Sequence, residues 1–269
     1  MMVTARTTPR ALVRARNLLV VGLVGILVAI GAFTVVSAIT TPRRTTPLYI
    51  PPVLAGQQIP GFCSGGFYAR HGDAIVLTTS PHCASEGWVA YDPGQKTTVQ
   101  GVFGPTAQDA TCPYPGHTCH ASDMNYLVVA ADRIPWGHLN VVDLGAAGYR
   151  VIPPGTRPLA CDDIAIGDPV EIDGRNIYRS GTVAEKGQNL YPAAQDGSFF
   201  PCMIAAYVQV GGGDSGGVVL VRGIPAGVTS RDFAGSLGFT PLAEGLAQLG
   251  LDLCTEPDCG LVPPTAAGP

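Results

Sequence analysis

The chain has 269 residues and a net charge of −4. Without a basic excess it lacks the electrostatic footprint of a nucleic-acid binder, and no nucleic acid is expected as a partner. Gly (35) and Pro (24) are abundant, the strand-like runs are short and long amphipathic helices are scarce, which suits an all-β domain with many turns.

Residues 1–17 contain Arg6, Arg10, Arg14 and Arg16 and no acid, and residues 18–39, "LLVVGLVGILVAIGAFTVVSAI", carry no charge. At about 1.5 Å per residue that run matches the hydrocarbon core of a bilayer. The heavier positive flank stays in the cytoplasm. A single transmembrane helix over 18–40 therefore puts the basic tail inside and residue 45 onward outside. A signal peptide cleaved after "VSA" (36–38) is the rival reading, but the apolar run exceeds the usual length of a signal core. Both readings export the remainder to the cell envelope or beyond. Residues 41–56 are proline-rich and read as a stiff linker, residues 57–259 as the folded domain, and residues 260–269 as a tail.

All eight cysteines follow the apolar run: Cys63, Cys83, Cys112, Cys119, Cys161, Cys202, Cys254 and Cys259. An even number in an exported chain reads as a disulfide set. Local spacing suggests Cys112–Cys119 and Cys254–Cys259. Cys63 and Cys83 bracket one strand hairpin, and Cys161–Cys202 is the pair that remains. "CPYPGHTCH" (112–120) also holds His117 and His120, a possible zinc set. In an oxidising compartment a small disulfide loop is the better reading, so no metal and no cofactor is expected.

Apolar β-rich runs recur from "GGFYAR" (65–70) to "YRVI" (149–152), and a second set extends from "DPVEIDG" (168–174) to "SLGFTPL" (236–242). "PPGTRPLACDD" (153–163) looks like the crossover between them. Leu242, Leu246 and Leu249 then recur at helical spacing. Two sets of short strands followed by one helix argue for a pair of β-barrels or a long sandwich.

"VQVGGGDSGGVVLV" (208–221) places Asp214 and Ser215 among five glycines between strand-like runs. Gly211, Gly213 and Gly216 satisfy a dinucleotide fingerprint, yet no helix follows and no βαβ unit surrounds it, so that reading is discarded. A plain glycine turn is the bland alternative. The chemical one makes Ser215 a nucleophile whose neighbouring amides face a developing oxyanion. It demands a base and an acid. His82 ends the strand run "AIVLTTS" beside Cys83, where a disulfide would hold the imidazole still. Asp123 opens the apolar run "MNYLVVA", where a carboxylate can be shielded from water and hold a histidine Nδ1–H.

In that order His82, Asp123 and Ser215 resemble the triad of the chymotrypsin-like (trypsin-fold) serine peptidases. "GGDSGG" (212–217), "CSGGFYARHGDAIVLTTSPHC" (63–83), "SDMNYLVV" (122–129) and "PAGVTSRD" (225–232) resemble that family's successive motifs. "GDPVEIDGRNIYRSGTV" (167–183) is closest in style to its compact bacterial members. The resemblance covers about residues 57–253. It implies a double six-stranded antiparallel β-barrel with a C-terminal helix, the first barrel over about 57–152 and the second over about 160–253. It also implies oxyanion-hole amides from Gly213 and Ser215, and a substrate wall that includes Ser230. Ser80-Pro81 departs from the small residues usual before the family's histidine, and Pro81 removes an N–H there. The resulting expectation is a membrane-anchored serine endopeptidase that cleaves protein or peptide substrates. The alternative is an inactive trypsin-fold module that binds a protein or cell-wall component.

Overall fold

The β-branched runs become strands, and the glycine and proline clusters between them become turns. The computed structural model describes residues 53–59, 63–91, 99–106, 118–120, 122–175, 177–187, 198–233 and 235–263. The chain divides into two units, residues 1–43 and 44–269, and every described residue belongs to the second. The expected membrane span over 18–40 lies outside the described residues. No helix among the described residues is long and apolar enough to cross a membrane.

The first half contributes β1 (Tyr68–His71), β2 (Ala74–Thr79), β3 (Val89–Tyr91), β4 (Val99–Phe103), β5 (Thr118–Cys119), β6 (Asn125–Val129), β7 (Val141–Asp143) and β8 (Tyr149–Val151). The second contributes β9 (Pro169–Gly174), β10 (Ile177–Gly187), β11 (Ser198–Phe199), β12 (Met203–Gln209), β13 (Val218–Val221), β14 (Ile224–Phe233) and β15 (Ser236–Pro241). Helix α1 (Leu242–Leu249) and the short β16 (Asp252–Leu253) end the fold.

β9, β10, β12, β15, β14 and β13 close into a six-stranded antiparallel barrel. The first half differs from the expected first barrel over about 57–152. Among the described residues it is a six-stranded sheet in the order β16-β1-β2-β6-β4-β3, with β16 and β3 at its edges. Its sixth strand comes from the far end of the chain: Leu253 and Asp252 pair with Ala69 and Arg70 of β1. β7 with β8, and β11 with β5, form two-stranded sheets of their own.

β13 joins the two hydrophobic cores. Its four residues are fully buried, as expected of a strand covered on both faces. Because side chains alternate along a strand, Val218 and Leu220 enter the core of the first sheet, while Val219 and Val221 enter the barrel core. The glycine-rich loop runs directly into this wall between cores. At the other end of the domain α1 docks Leu242 and Leu246 onto the first core and stops at Gly250, whose φ of +64° suits a left-handed C-cap.

Three disulfides link described cysteines: Cys63–Cys83, Cys161–Cys202 and Cys254–Cys259, with Cα separations of 5.8, 6.2 and 4.6 Å. Cys119 is also disulfide-bonded; Cys112, its expected partner, lies outside the described residues. Complete reduction should therefore raise the mass of the purified chain by eight hydrogens. Peptide maps without reduction should recover those three pairs and Cys112–Cys119. Free thiols at any of the eight positions would contradict the assignment.

Candidate active site

The Cys63–Cys83 bridge ties the start of the β1–β2 hairpin to its end. Directly before Cys83, Pro81–Cys83 form a single 3-10 turn after Ser80, closed by the Cys83 amide donating to the Ser80 carbonyl at 3.0 Å. Pro81 sits at the first position of that turn, where the missing N–H has no intrahelical acceptor to lose. The departure from the family pattern is thus absorbed by local geometry, and His82 projects from the turn as an exposed side chain.

The loop after β12 is built by close approach. Gly213 and Gly216 adopt φ of +95° and +81°, a region other residues resist. A Cβ on Gly216 would lie 2.1 Å from Thr79 Oγ1, 2.4 Å from the Ser64 carbonyl oxygen and 3.0 Å from the Ser80 nitrogen. Ser64, fully buried, fastens the loop twice: its amide donates to the Ser215 carbonyl at 2.7 Å, and its hydroxyl donates to the Gly213 carbonyl at 2.9 Å. Cys83 Sγ lies 3.9 Å from the same Ser215 carbonyl. The loop that holds Ser215 and the turn that holds His82 therefore share one packed junction.

Asp214, 2% exposed, points away from the cleft. Its Oδ2 accepts from Arg179 Nη1 of β10 at 2.7 Å and from the Gly211 amide at 2.8 Å. Burial raises its pKa above the ordinary carboxylate value, and Arg179, the Gly211 amide and Arg175 pull it part of the way back. Arg175 also lies across Gly213 and donates to the Gly212 carbonyl at 2.5 Å.

His82, Gly213 and Ser215 line one cavity of about 560 Å³. The Cys63–Cys83 bridge forms part of its wall, and Trp88, Val89 and Tyr91 form an apolar rim. Trp88 is 62% and Tyr91 45% exposed on and beside the edge strand β3. Neither the Gly213 nor the Ser215 amide donates to another described residue, and the Ser215 hydroxyl makes no hydrogen bond to one. His82 Nδ1 lies 2.8 Å from Ser80 Oγ.

Asp123 is buried where the first half meets the barrel. Its amide donates to Thr240 Oγ1 of β15 at 2.7 Å, and its Oδ2 accepts from Ser230 Oγ of β14. The hydroxyl of Ser230, expected in the substrate wall, is thus given to Asp123, and any substrate contact at Ser230 falls to its main chain. Cys63, His82 and Cys83 lie close enough to suggest a metal site, but both thiols are consumed by the disulfide.

The sequence pointed to His82, Asp123, Ser215 and Gly213, and to Ser80 only as a departure from the family pattern, but not to Ser64, Arg179 or Thr240. The positions of Ser64 and Ser80 beside Cys63 and His82 were the available signal. Arg179 and Thr240 offered none, because each reaches its partner only through the fold.

If the Arg179–Asp214 pair braces the loop, Arg179→Met should destabilise the domain by about 3 kcal/mol at neutral pH, the cost of leaving a buried charge alone. A carboxylate with a raised folded pKa adds stability that is complete below the ordinary carboxylate pKa and is lost as pH rises through the folded value. Removing the cation raises that value further. The penalty should therefore shrink in acid, where Asp214 is protonated with or without Arg179. Urea unfolding of both proteins at neutral and acid pH measures the difference.

No protein-family model matches the sequence, and no curated protein matches it. Solved structures do. A glutamic acid-specific serine protease, which uses a histidine triad in substrate binding, is 25% identical with a TM-score of 0.55, covering 75% of this chain and 100% of its own. Cellulomonas bogoriensis chymotrypsin is 22% identical with a TM-score of 0.54, covering 76% of this chain and 98% of its own. Thermobifida fusca protease A is 23% identical with a TM-score of 0.54, covering 75% and 97%. The chain resembles the chymotrypsin-like bacterial serine proteases and has their trypsin fold.

Proposed function

We propose that this chain is a serine endopeptidase with Ser215 as nucleophile, His82 as base and then acid, and Asp123 as the group that orients His82. It acts outside the cell membrane, held there by an anchor over 18–40 and the 41–56 linker; the peptidase domain occupies 57–259. The observation that carries the reading is the shared cavity: His82, Ser215 and two amides that donate to no other described residue line one opening of about 560 Å³.

In this mechanism a peptide carbonyl enters with its oxygen toward the Gly213 and Ser215 amides. Ser215 Oγ attacks the carbonyl carbon and gives its proton to His82 Nε2. The two amides take up the negative charge that develops on the carbonyl oxygen. His82 then protonates the leaving amine, and water repeats the sequence on the acyl-enzyme. The apolar rim of Trp88, Val89 and Tyr91 supports binding of a peptide, since side chains placed there lose contact with water at about 25 cal/mol per Å² of apolar surface. A second reading, a module that only binds protein or cell-wall material, draws on one observation. It is the Ser80-Pro81 pair, which stands before His82 where the family that the chain resembles has small residues.

Residues that work as a unit lose activity non-additively. Ser215→Ala and His82→Ala should each lower kcat on a cleaved peptide by several orders of magnitude, and the double mutant should be scarcely worse than either. Undiminished cleavage by Ser215→Ala would remove Ser215 from the mechanism. A folded wild-type chain that cleaves no peptide of a broad library would leave the binding module.

A further inference from the structure

We infer that Arg175 is a positioning residue: its guanidinium pins the Gly212 carbonyl and so keeps the Gly213 N–H turned into the cavity beside Ser215. The catalytic consequence rests on the peptidase reading. The geometry does not.

The carbonyl of Gly212 and the N–H of Gly213 are two sides of one planar trans peptide, so they point in opposite directions. Fixing the carbonyl therefore fixes the amide. An amide kept for a substrate oxygen cannot also donate to the protein, so this peptide has to be held by its carbonyl. The carbonyls on either side are held by the loop and by Ser64. Gly211 accepts from the Asp214 amide at 3.1 Å, and Gly213 accepts from Ser64 Oγ at 2.9 Å. The Gly212 carbonyl is met instead by Arg175 Nη1, at 2.5 Å. Packing adds nothing there, because a Cβ on Gly212 would meet no atom within 4 Å. A peptide between two glycines turns over at little steric cost. Among the described residues, Arg175 is what sets its direction.

The fold brings Arg175 to that carbonyl in three ways. The Gly174–Ile177 pair closes the β9–β10 hairpin, and Arg175 is the first residue of the two-residue connection. Such connections call for positive φ. Arg175 takes φ +51°, a region that long side chains rarely enter. Its amide fastens that conformation by donating to Ser64 Oγ at 2.8 Å, so Ser64 accepts from Arg175 and donates to the Gly213 carbonyl. The hairpin also abuts the loop directly: a Cβ on Gly174 would lie 2.7 Å from Asp214 Cα. Finally, the side chain covers Gly213, where a Cβ would fall 2.2 Å from Arg175 Cδ.

The bond has a second effect during reaction. As negative charge grows on the substrate oxygen, the Gly213 N–H polarises toward it and the Gly212 carbonyl oxygen becomes more negative. The guanidinium bond to that oxygen then strengthens, because bonds in a chain polarise one another and charge-assisted bonds are the stronger kind. This gain belongs to the transition state and not to the bound substrate, so it raises kcat. With the peptide reversed, the Gly212 carbonyl would face the developing oxyanion and repel it.

The test reads the direction of the Gly213 N–H bond from residual dipolar couplings in the isotopically labelled full-length chain. The amides of β13, β14 and β15 define the alignment. In wild type the Gly213 coupling should fit that alignment with the N–H turned into the cavity. In Arg175→Ala it should depart from the fit while the strand couplings stay. The same variant should lower kcat on a cleaved peptide at least about tenfold, up to the roughly 10²–10³ of an oxyanion donor lost outright, with little change in KM. Arg175→Lys, which keeps a charged donor, should fall between. Free guanidinium, far below denaturing concentration, should restore part of the rate to Arg175→Ala and none to wild type. An unchanged Gly213 coupling in Arg175→Ala would overturn the inference, as would undiminished kcat in that variant or couplings that move throughout the strands. The couplings need no turnover. A wild-type chain that cleaves nothing, with a Gly213 coupling that departs in Arg175→Ala, would keep Arg175 in this role and discard the peptidase reading. Active wild-type enzyme with an unmoved coupling in Arg175→Ala would do the reverse.

Discussion

The contact on which the site depends is the one made by a missing side chain. Gly216 brings the Ser215 loop within van der Waals reach of Thr79, Ser64 and the Ser80 nitrogen. Any Cβ there would force the two halves apart, and at φ +81° it would also be strained. Ser64 completes the junction with two hydrogen bonds to the loop. His82 and Ser215 belong to turns 133 residues apart in the sequence. They share a cavity because this junction leaves no room between those turns, and because β13 carries the loop into both hydrophobic cores at once.

Two buried carboxylates behind the cavity, Asp123 and Asp214, are met by the other half or by a distant strand. Asp123 comes from the first half and is held by Ser230 and Thr240 of the barrel. Asp214 lies in the loop and is held by Arg179 of β10. An unpaired buried carboxylate is costly, so these partners stabilise one relative placement of loop, barrel and sheet. The charge that braces the Asp214 loop is an internal arginine, present as soon as the barrel folds.

Much of the site was legible because its chemistry sits in local patterns. "AIVLTTSPHC" reads as a strand that ends at His82, and "GGDSGG" as a tight loop around Ser215. Cys161–Cys202, reached only by elimination, is formed. What was not legible is tertiary. The first half was expected to close as a barrel of its own residues, but its sixth strand is the two-residue β16 beyond the helix, too short to show a period. Ser230 is expected in the substrate wall from the resemblance of its strand, and the bond from its hydroxyl to Asp123, 107 residues away, could not be read from spacing. Pro81 looked like an obstacle in sequence. In the fold it opens a 3-10 turn, the one place where its lost N–H is not missed.

The central claim is that Ser215 is an activated nucleophile beside two amides, of Gly213 and Ser215, that donate to no other described residue. Incubating the purified chain with a fluorophosphonate and mapping the adduct by mass spectrometry tests it most directly. The account predicts one phosphonyl group per chain, on Ser215, formed far faster than on any other hydroxyl and abolished by His82→Ala. A folded chain that stays unlabelled, or one labelled equally well without His82, would contradict it.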